Sequence, residues 1–127
     1  MERLLGRLGP QLYAIVRIVV GLLFACHGAQ KLFGVLGARQ AALASMSGAA
    51  GIIEFVGGLL IAIGFLTGTA AFIASGEMAY AYVTRHAPRG AFPIQNAGEL
   101  AALYCFAFLY IAARGVGMWG VDKRSRV

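Results

Sequence analysis

Six side chains able to carry charge lie inside otherwise apolar stretches of this 127-residue chain: Arg17, His27, Lys31, Glu54, Glu77 and Glu99. Imidazole exchanges protons near neutral pH, so His27 is a candidate proton carrier. Glu54 and Glu99 are the carboxylates expected to work with it, which makes His27, Glu54 and Glu99 the candidate catalytic set. Arg17 and Lys31 would hold negative charge. Glu77, Tyr80, Asn96 and Tyr110 complete the candidate ligand-binding set. His27, Glu54 and Glu99 share no short metal-ligand spacing, so a metal site is not expected.

The elements that must position these groups are hydrophobic helices. Spans are predicted over about residues 11–33, 49–66, 70–85 and 97–114, with a tight turn at 67–69. The first loop, 34–48, has room for a short surface helix in its middle, and two prolines and a glycine mark 86–96 as a loop. One helix running through both middle segments is the alternative, but Gly64, Gly68 and the two threonines favour a hairpin. Leu23–Cys26 has the outline of a lipoprotein cleavage site. Phe24 suits such a site poorly and three more apolar segments follow, so a retained span is expected.

On a helix turning about 100° per residue, Arg17, Phe24, His27 and Lys31 share an arc of about 80°, with Gly21 and Gly28 beside it. Gly57 and Gly58 flank Glu54, and Ala70, Ala74 and Ala81 flank Glu77, with Tyr80 at the edge. Asn96, Leu103, Phe106 and Tyr110 flank Glu99. A carboxylate facing lipid is costly and small residues allow close helix approach, so all three glutamate faces are predicted to turn inward. Depths reckoned at about 1.5 Å per residue bring Glu54, Glu99, His27 and Lys31 into one half of the bundle. Glu77 comes nearest in depth to Arg17 and is its predicted partner. Simple charge pairing that sets helix register competes with the reading of these groups as a polar pocket.

The composition agrees with a membrane protein: 60% hydrophobic and only 13% charged residues, with a mean hydropathy of +0.77. The length suits a single transmembrane domain, and the fold class is all-α, an integral membrane four-helix bundle. The net charge of +6 lies mostly outside the apolar segments and has no aromatic interleaving, which excludes nucleic acid as a partner. Four spans put both termini on one side with Arg3, Arg7, Arg114, Lys123, Arg124 and Arg126. Lys31, Arg39, Arg85 and Arg89 lie opposite, so the termini are predicted to be cytoplasmic. Trp119 is the expected interfacial anchor. Cys26 and Cys105 form no CxxC and lie off the polar stripes of their spans, so packing roles are expected.

The ordered set Arg17-x-x-x-Gly21, His27-Gly28-x-x-Lys31-Leu32, Glu54-x-x-Gly57-Gly58, Glu77-Met78-Ala79-Tyr80 and Asn96-x-x-Glu99, followed by Tyr104, Gly115-x-Gly117 and Asp122, resembles the DoxX family of small four-span membrane proteins. The resemblance implies a four-helix bundle in the bacterial cytoplasmic membrane with redox associations, including thiosulfate:quinone oxidoreduction and partnership with thiol-stress enzymes. The expected function is a redox-associated membrane subunit that binds a quinone or similar small redox molecule. It would act with a redox partner protein, because the sequence shows no electron carrier of its own. A carrier for a small solute or proton and a membrane scaffold for a soluble partner are the alternatives. So short a bundle has little interior, which allows a pocket between copies of a homo-oligomer.

Overall fold

The computed structural model describes residues 1–123, and among them it is all-helical, without strands. The helices are α1 (Glu2–Gly6), α2 (Gly9–Phe33), α3 (Met46–Ile63), α4 (Thr67–Ala81), α5 (Pro93–Asn96) and α6 (Glu99–Arg114), with a π-helical turn (Tyr82–His86) and a 3-10 turn (Ala87–Arg89) after α4. The long helices α2, α3, α4 and α6 run alternately up and down. α2 packs on α3, α3 on α4, and α4 on α6. α2 and α6 meet through aromatic side chains: the Phe24 ring lies 4.6 Å from Phe108 and 5.3 Å from Tyr104.

The α2–α3 contact is built from residues that lack bulk. A Cβ on Gly21 would lie 2.7 Å from the Gly58 carbonyl oxygen, and one on Gly58 would lie 2.5 Å from Ala25 N. Gly28 faces the Phe55 backbone in the same way, and Gly51 faces the Lys31 and Leu32 side chains. Two backbones therefore touch along several turns, the geometry that small-residue faces permit. Outward-facing positions are apolar, including Ile15, Val19, Leu22, Leu23, Ile52, Val56, Leu59, Phe72, Ile73, Leu103 and Phe106. Polar residues turn inward instead: Arg17, Glu54, Thr67, Ser75 and Asn96 are buried. By length and composition α2 and α3 can each cross a membrane, both with a hydropathy of 1.9.

Several sequence-based expectations shift. The segment 34–45 forms turns and extended chain, not a helix. The hairpin turn falls at Gly64–Leu66, ahead of the threonines. Gly64 takes a left-handed conformation (φ 74°) and ends α3. Thr67 then starts α4, and its cap comes from the far end of the chain. Both Asp122 carboxylate oxygens accept there: from Leu66 N at 2.9 Å, Thr67 N at 2.8 Å and the Thr67 hydroxyl at 2.8 Å. No local pattern could show a cap supplied from 55 residues away.

Arg17 is 0% exposed, as its stripe predicts, but Glu77 is not its partner. Its guanidinium forks onto carbonyl oxygens: Nη1 donates to Ile61 O at 2.6 Å and Ala62 O at 2.8 Å, and Nη2 to Met118 O and Trp119 O at 2.9 Å. The first two carbonyls belong to the last turn of α3, where the helix dipole is negative and carbonyls run short of i+4 donors, Ile61 O also accepting from the capping Gly64 N at 3.2 Å. The other two belong to the tail after α6. This tail folds back over the α3–α4 turn, with Val121 N donating to Ile63 O and Asp122 N to Gly64 O. Trp119 is exposed at its edge, while Arg124 and Arg126 of the predicted basic end lie outside the described residues.

Two outcomes follow. Gly58→Ala forces the α2 and α3 backbones apart, and should lower thermal stability in detergent by about 1–3 kcal/mol. Gly76→Ala, where an added Cβ meets nothing within 4 Å, should leave stability unchanged or raise it by up to about 1 kcal/mol. Equal losses in both would refute the close-contact account. The hydrogen bond from Thr67 N, followed by those from the Thr67 hydroxyl and Leu66 N, holds the Asp122 carboxyl below its ordinary value against a smaller opposing effect of burial. A depressed folded-state value contributes stability above the ordinary aspartate range, and that stability is lost as pH falls. Wild-type melting temperature should therefore drop more steeply than that of Asp122→Asn as pH falls below about 4.

Candidate ligand site

The polar groups of the other half of the bundle surround a cavity of about 200 Å³. α2 contributes Phe24, His27 and Lys31, α3 contributes Glu54, and α4 contributes Glu77, Met78 and Ala81. The π-helical turn adds Arg85 and His86, and the start of α6 adds Leu100, Ala101 and Tyr104. One water needs roughly 10–15 Å³ of such volume, so the cavity holds several waters or a small ring.

Its walls carry a defined charge pattern. Lys31 Nζ donates to Glu54 Oε1 at 2.6 Å, with the lysine side chain 28% exposed and the glutamate 3%. This is the ion pair found among the described residues. The second Glu54 oxygen, Oε2, is buried without a hydrogen-bond partner, and so is Glu77 Oε2. A buried acceptor left unmade costs about 1–3 kcal/mol, more if charged. Such atoms are where a bound donor gains most. His27 stands edge-on to Tyr104, ring centroids 6.0 Å apart. Phe24, fully buried against Tyr104 and Phe108, floors the cavity. Beyond it the bundle is filled by Ile61, Phe108, Ile111 and Arg17.

The structure thus brings together His27, Lys31, Glu54 and Glu77 from the predicted set. It does not bring Glu99 to them. Glu99 is exposed and lines an outer groove with Pro93, Ala102, Leu103 and Phe106. The phase of α6 is set by Ala101, Tyr104, Phe108 and Ile111, which turn inward. That leaves the Glu99 face outside, with Leu103 69% and Phe106 70% exposed. Glu99 opens α6, and a carboxylate in a first turn is favoured by the helix dipole without being buried. Tyr110, on the same outer face, meets Tyr13 edge-on at 5.9 Å.

Asn96 is buried but acts as a structural tie. Its amide donates to the Tyr82 hydroxyl and to Gly90 O, and its Oδ1 accepts from Gly98 N. Its carbonyl oxygen lies 3.1 Å from His86 Nδ1. Tyr80 is 55% exposed and lines a groove between α3 and α4, where Glu77 and Arg85 also appear. Arg17 belongs to the opposite half of the molecule.

Arg85 and His86 are the site residues that span-based reading assigns to a helix end and a loop. A π-helical turn swings them toward the cavity, and such turns cluster at functional sites. The available signal is Pro88, whose missing N–H prevents the α-helical pattern from continuing past this point. Cys26 is exposed and Cys105 half-buried, both as free thiols.

An all-helical chain with apolar outward faces, an inward polar cluster and two helices able to cross a membrane defines a membrane-associated helical protein. The DoxX family pattern matches residues 12–87, and this chain belongs to that family. The match takes in α2, α3, α4 and the π-helical turn, and with them His27, Lys31, Glu54, Glu77, Arg85 and His86. The chain is also 43% identical to an uncharacterized protein of Haemophilus influenzae, over 91% of each chain. No solved structure matches it.

The Lys31–Glu54 pair can be tested by a double-mutant cycle. Lys31→Met leaves a buried carboxylate unpaired and should cost about 3 kcal/mol in detergent unfolding. Adding Glu54→Gln should recover more than half of that loss. Additive losses would show that the pair is not coupled.

Proposed function

We propose that this protein is an integral membrane four-helix bundle of the bacterial cytoplasmic membrane and a redox-associated subunit whose inner cavity binds a quinone or similar small redox molecule. α4 with its π-helical turn, and α6, serve as the third and fourth spans. Both termini face the cytoplasm, following the excess of cations on the terminal side. The observation that carries the ligand reading is that Glu54 and Glu77, each with a buried carboxylate oxygen lacking a hydrogen-bond partner, line the same cavity as His27 and Lys31.

The chemistry of the lining suits both forms of a quinone. Its carbonyl oxygens need donors, which His27, Tyr104 and Arg85 supply. The hydroxyls of the reduced form need acceptors, which the Glu54 and Glu77 carboxylates supply. Reduction of the bound ring takes up two electrons and two protons. The electrons come from a partner redox protein, and the protons pass through His27 and Glu77. Lys31 offsets the charge of Glu54, so Glu77 is the carboxylate left to exchange a proton. Glu99 has no part in this scheme, because it lies on the outer face of α6. The aromatic floor at Phe24 closes the cavity toward the terminal side, which favours a binding site over a conduit for solute or protons.

The test is binding of a chainless benzoquinone and its quinol to the purified protein by calorimetry. His27→Ala and Glu77→Gln should each weaken binding about tenfold or more, the loss of a hydrogen bond involving a charged group. Tyr110→Phe, on the outer face, should bind as wild type does. Unchanged affinity in both cavity variants would remove this site from the function.

A further inference from the structure

The inner cavity has a neighbour. A groove of about 310 Å³ lies between α2 and α6, lined by Leu23, Cys26, His27, Gln30, Leu100 and Tyr104. His27, Leu100 and Tyr104 line the inner cavity as well. These three side chains form a sill with the polar cavity on one side and the outer face of the bundle on the other. Leu23 and Leu100 are about half exposed there, and the Cys26 thiol is open.

The pairing of helices explains why the wall is thin at this place. α2 and α3 touch backbone to backbone through their glycines. α2 and α6 are held apart by rings, Phe24 against Phe108 and Tyr104, and Tyr13 against Tyr110. At the level of His27 this stack ends. The α6 residues there are Ala101 and Leu100, and the edge-on His27–Tyr104 contact bridges the gap.

We infer that the ligand of the inner cavity is amphipathic, a polar ring carrying an apolar chain, and that it enters sideways from the bilayer between α2 and α6. The ring lies among His27, Glu54 and Glu77, and the chain runs out over Leu100 and Tyr104 into the groove beside Leu23 and Cys26. This rests on the reading of the inner cavity as a ligand site. That the groove shares His27, Leu100 and Tyr104 with a cavity lined by Glu54 and Glu77 selects this occupant over an ordinary lipid chain, whose headgroup would stay at the membrane surface. A second groove, between α3 and α4, also adjoins the cavity through Glu77, Ala81 and Arg85. That groove is the smaller of the two, about 190 Å³ against 310 Å³.

The experiment uses the full-length protein in lipid nanodiscs and a benzoquinone whose chain carries a diazirine on its first methylenes. Photolabelling, mapped by peptide mass spectrometry, should fall on the Leu23–Gln30 and Leu100–Tyr104 peptides. Excess unlabelled chained quinone should compete it away. Cys26→Trp fills the groove at an exposed position and should abolish this competed labelling, while the chainless ring still binds in calorimetry. Ala50→Trp, on the α3–α4 groove, should change neither. Competed labelling at Met46–Ile53 or Tyr80, or labelling that no competitor displaces, would overturn the lateral route. Failure of the chainless ring to bind the wild type would instead overturn the inner cavity itself.

Discussion

The glycine-lined contact between α2 and α3 is the constraint on which the rest of this structure depends. Because Gly21, Gly28, Gly51 and Gly58 carry no side chain, the two backbones approach until an added Cβ would overlap them. That approach settles what the cations of α2 can reach. Toward one end, Arg17 finds the Ile61 and Ala62 carbonyls within 2.8 Å. Toward the other, Lys31 finds Glu54 at 2.6 Å. The same interface therefore neutralises two cations in two ways, one by carbonyl dipoles and one by a carboxylate. Spread the helices by one methyl group and both arrangements lose their geometry.

The two ends of the bundle consequently differ in character. At the Arg17 end every donor of the fork but Nε has a carbonyl, and the tail, Asp122 and the α3–α4 turn close over it. Arginine suits this place because its planar fork holds several acceptors at once, which an ammonium group cannot do. At the Lys31 end the polar groups outnumber their partners. Two carboxylate oxygens stay free, and the π-helical turn holds Arg85 and His86 at the cavity rather than continuing α4. One end is satisfied and closed over, and the other keeps unmet hydrogen-bonding capacity beside open volume. That contrast separates a structural charge from the groups of a candidate site.

α6 shows how a sound principle picks the wrong residue. A carboxylate inside an apolar helix belongs in the interior, and the principle holds for Glu54 and Glu77. Glu99 escapes it by position, since it starts its helix and the dipole there favours a negative charge. The apolar row Tyr104, Phe108 and Ile111 then decides which face of α6 is buried, and Glu99 follows on the opposite one. Asn96 is inward but engaged, its amide tying the π-helical turn to the start of α6.

Residue types and their spacing were enough to give the helical class, the apolar segments, the polar stripe of α2 and the small-residue faces of α2 and α3. They were enough, too, to single out His27, Lys31, Glu54 and Glu77, since such groups in apolar helices draw the eye at any register. What only the tertiary structure decided was who partners whom. Arg17 is held by backbone carbonyls, which every residue possesses and no sequence pattern marks. Asp122 caps a helix 55 residues away. The rotation of α6, the π-helical turn and the thin wall between α2 and α6 arise from packing among helices. Periodicity defines a face within one helix, but only contact with the others determines where that face points.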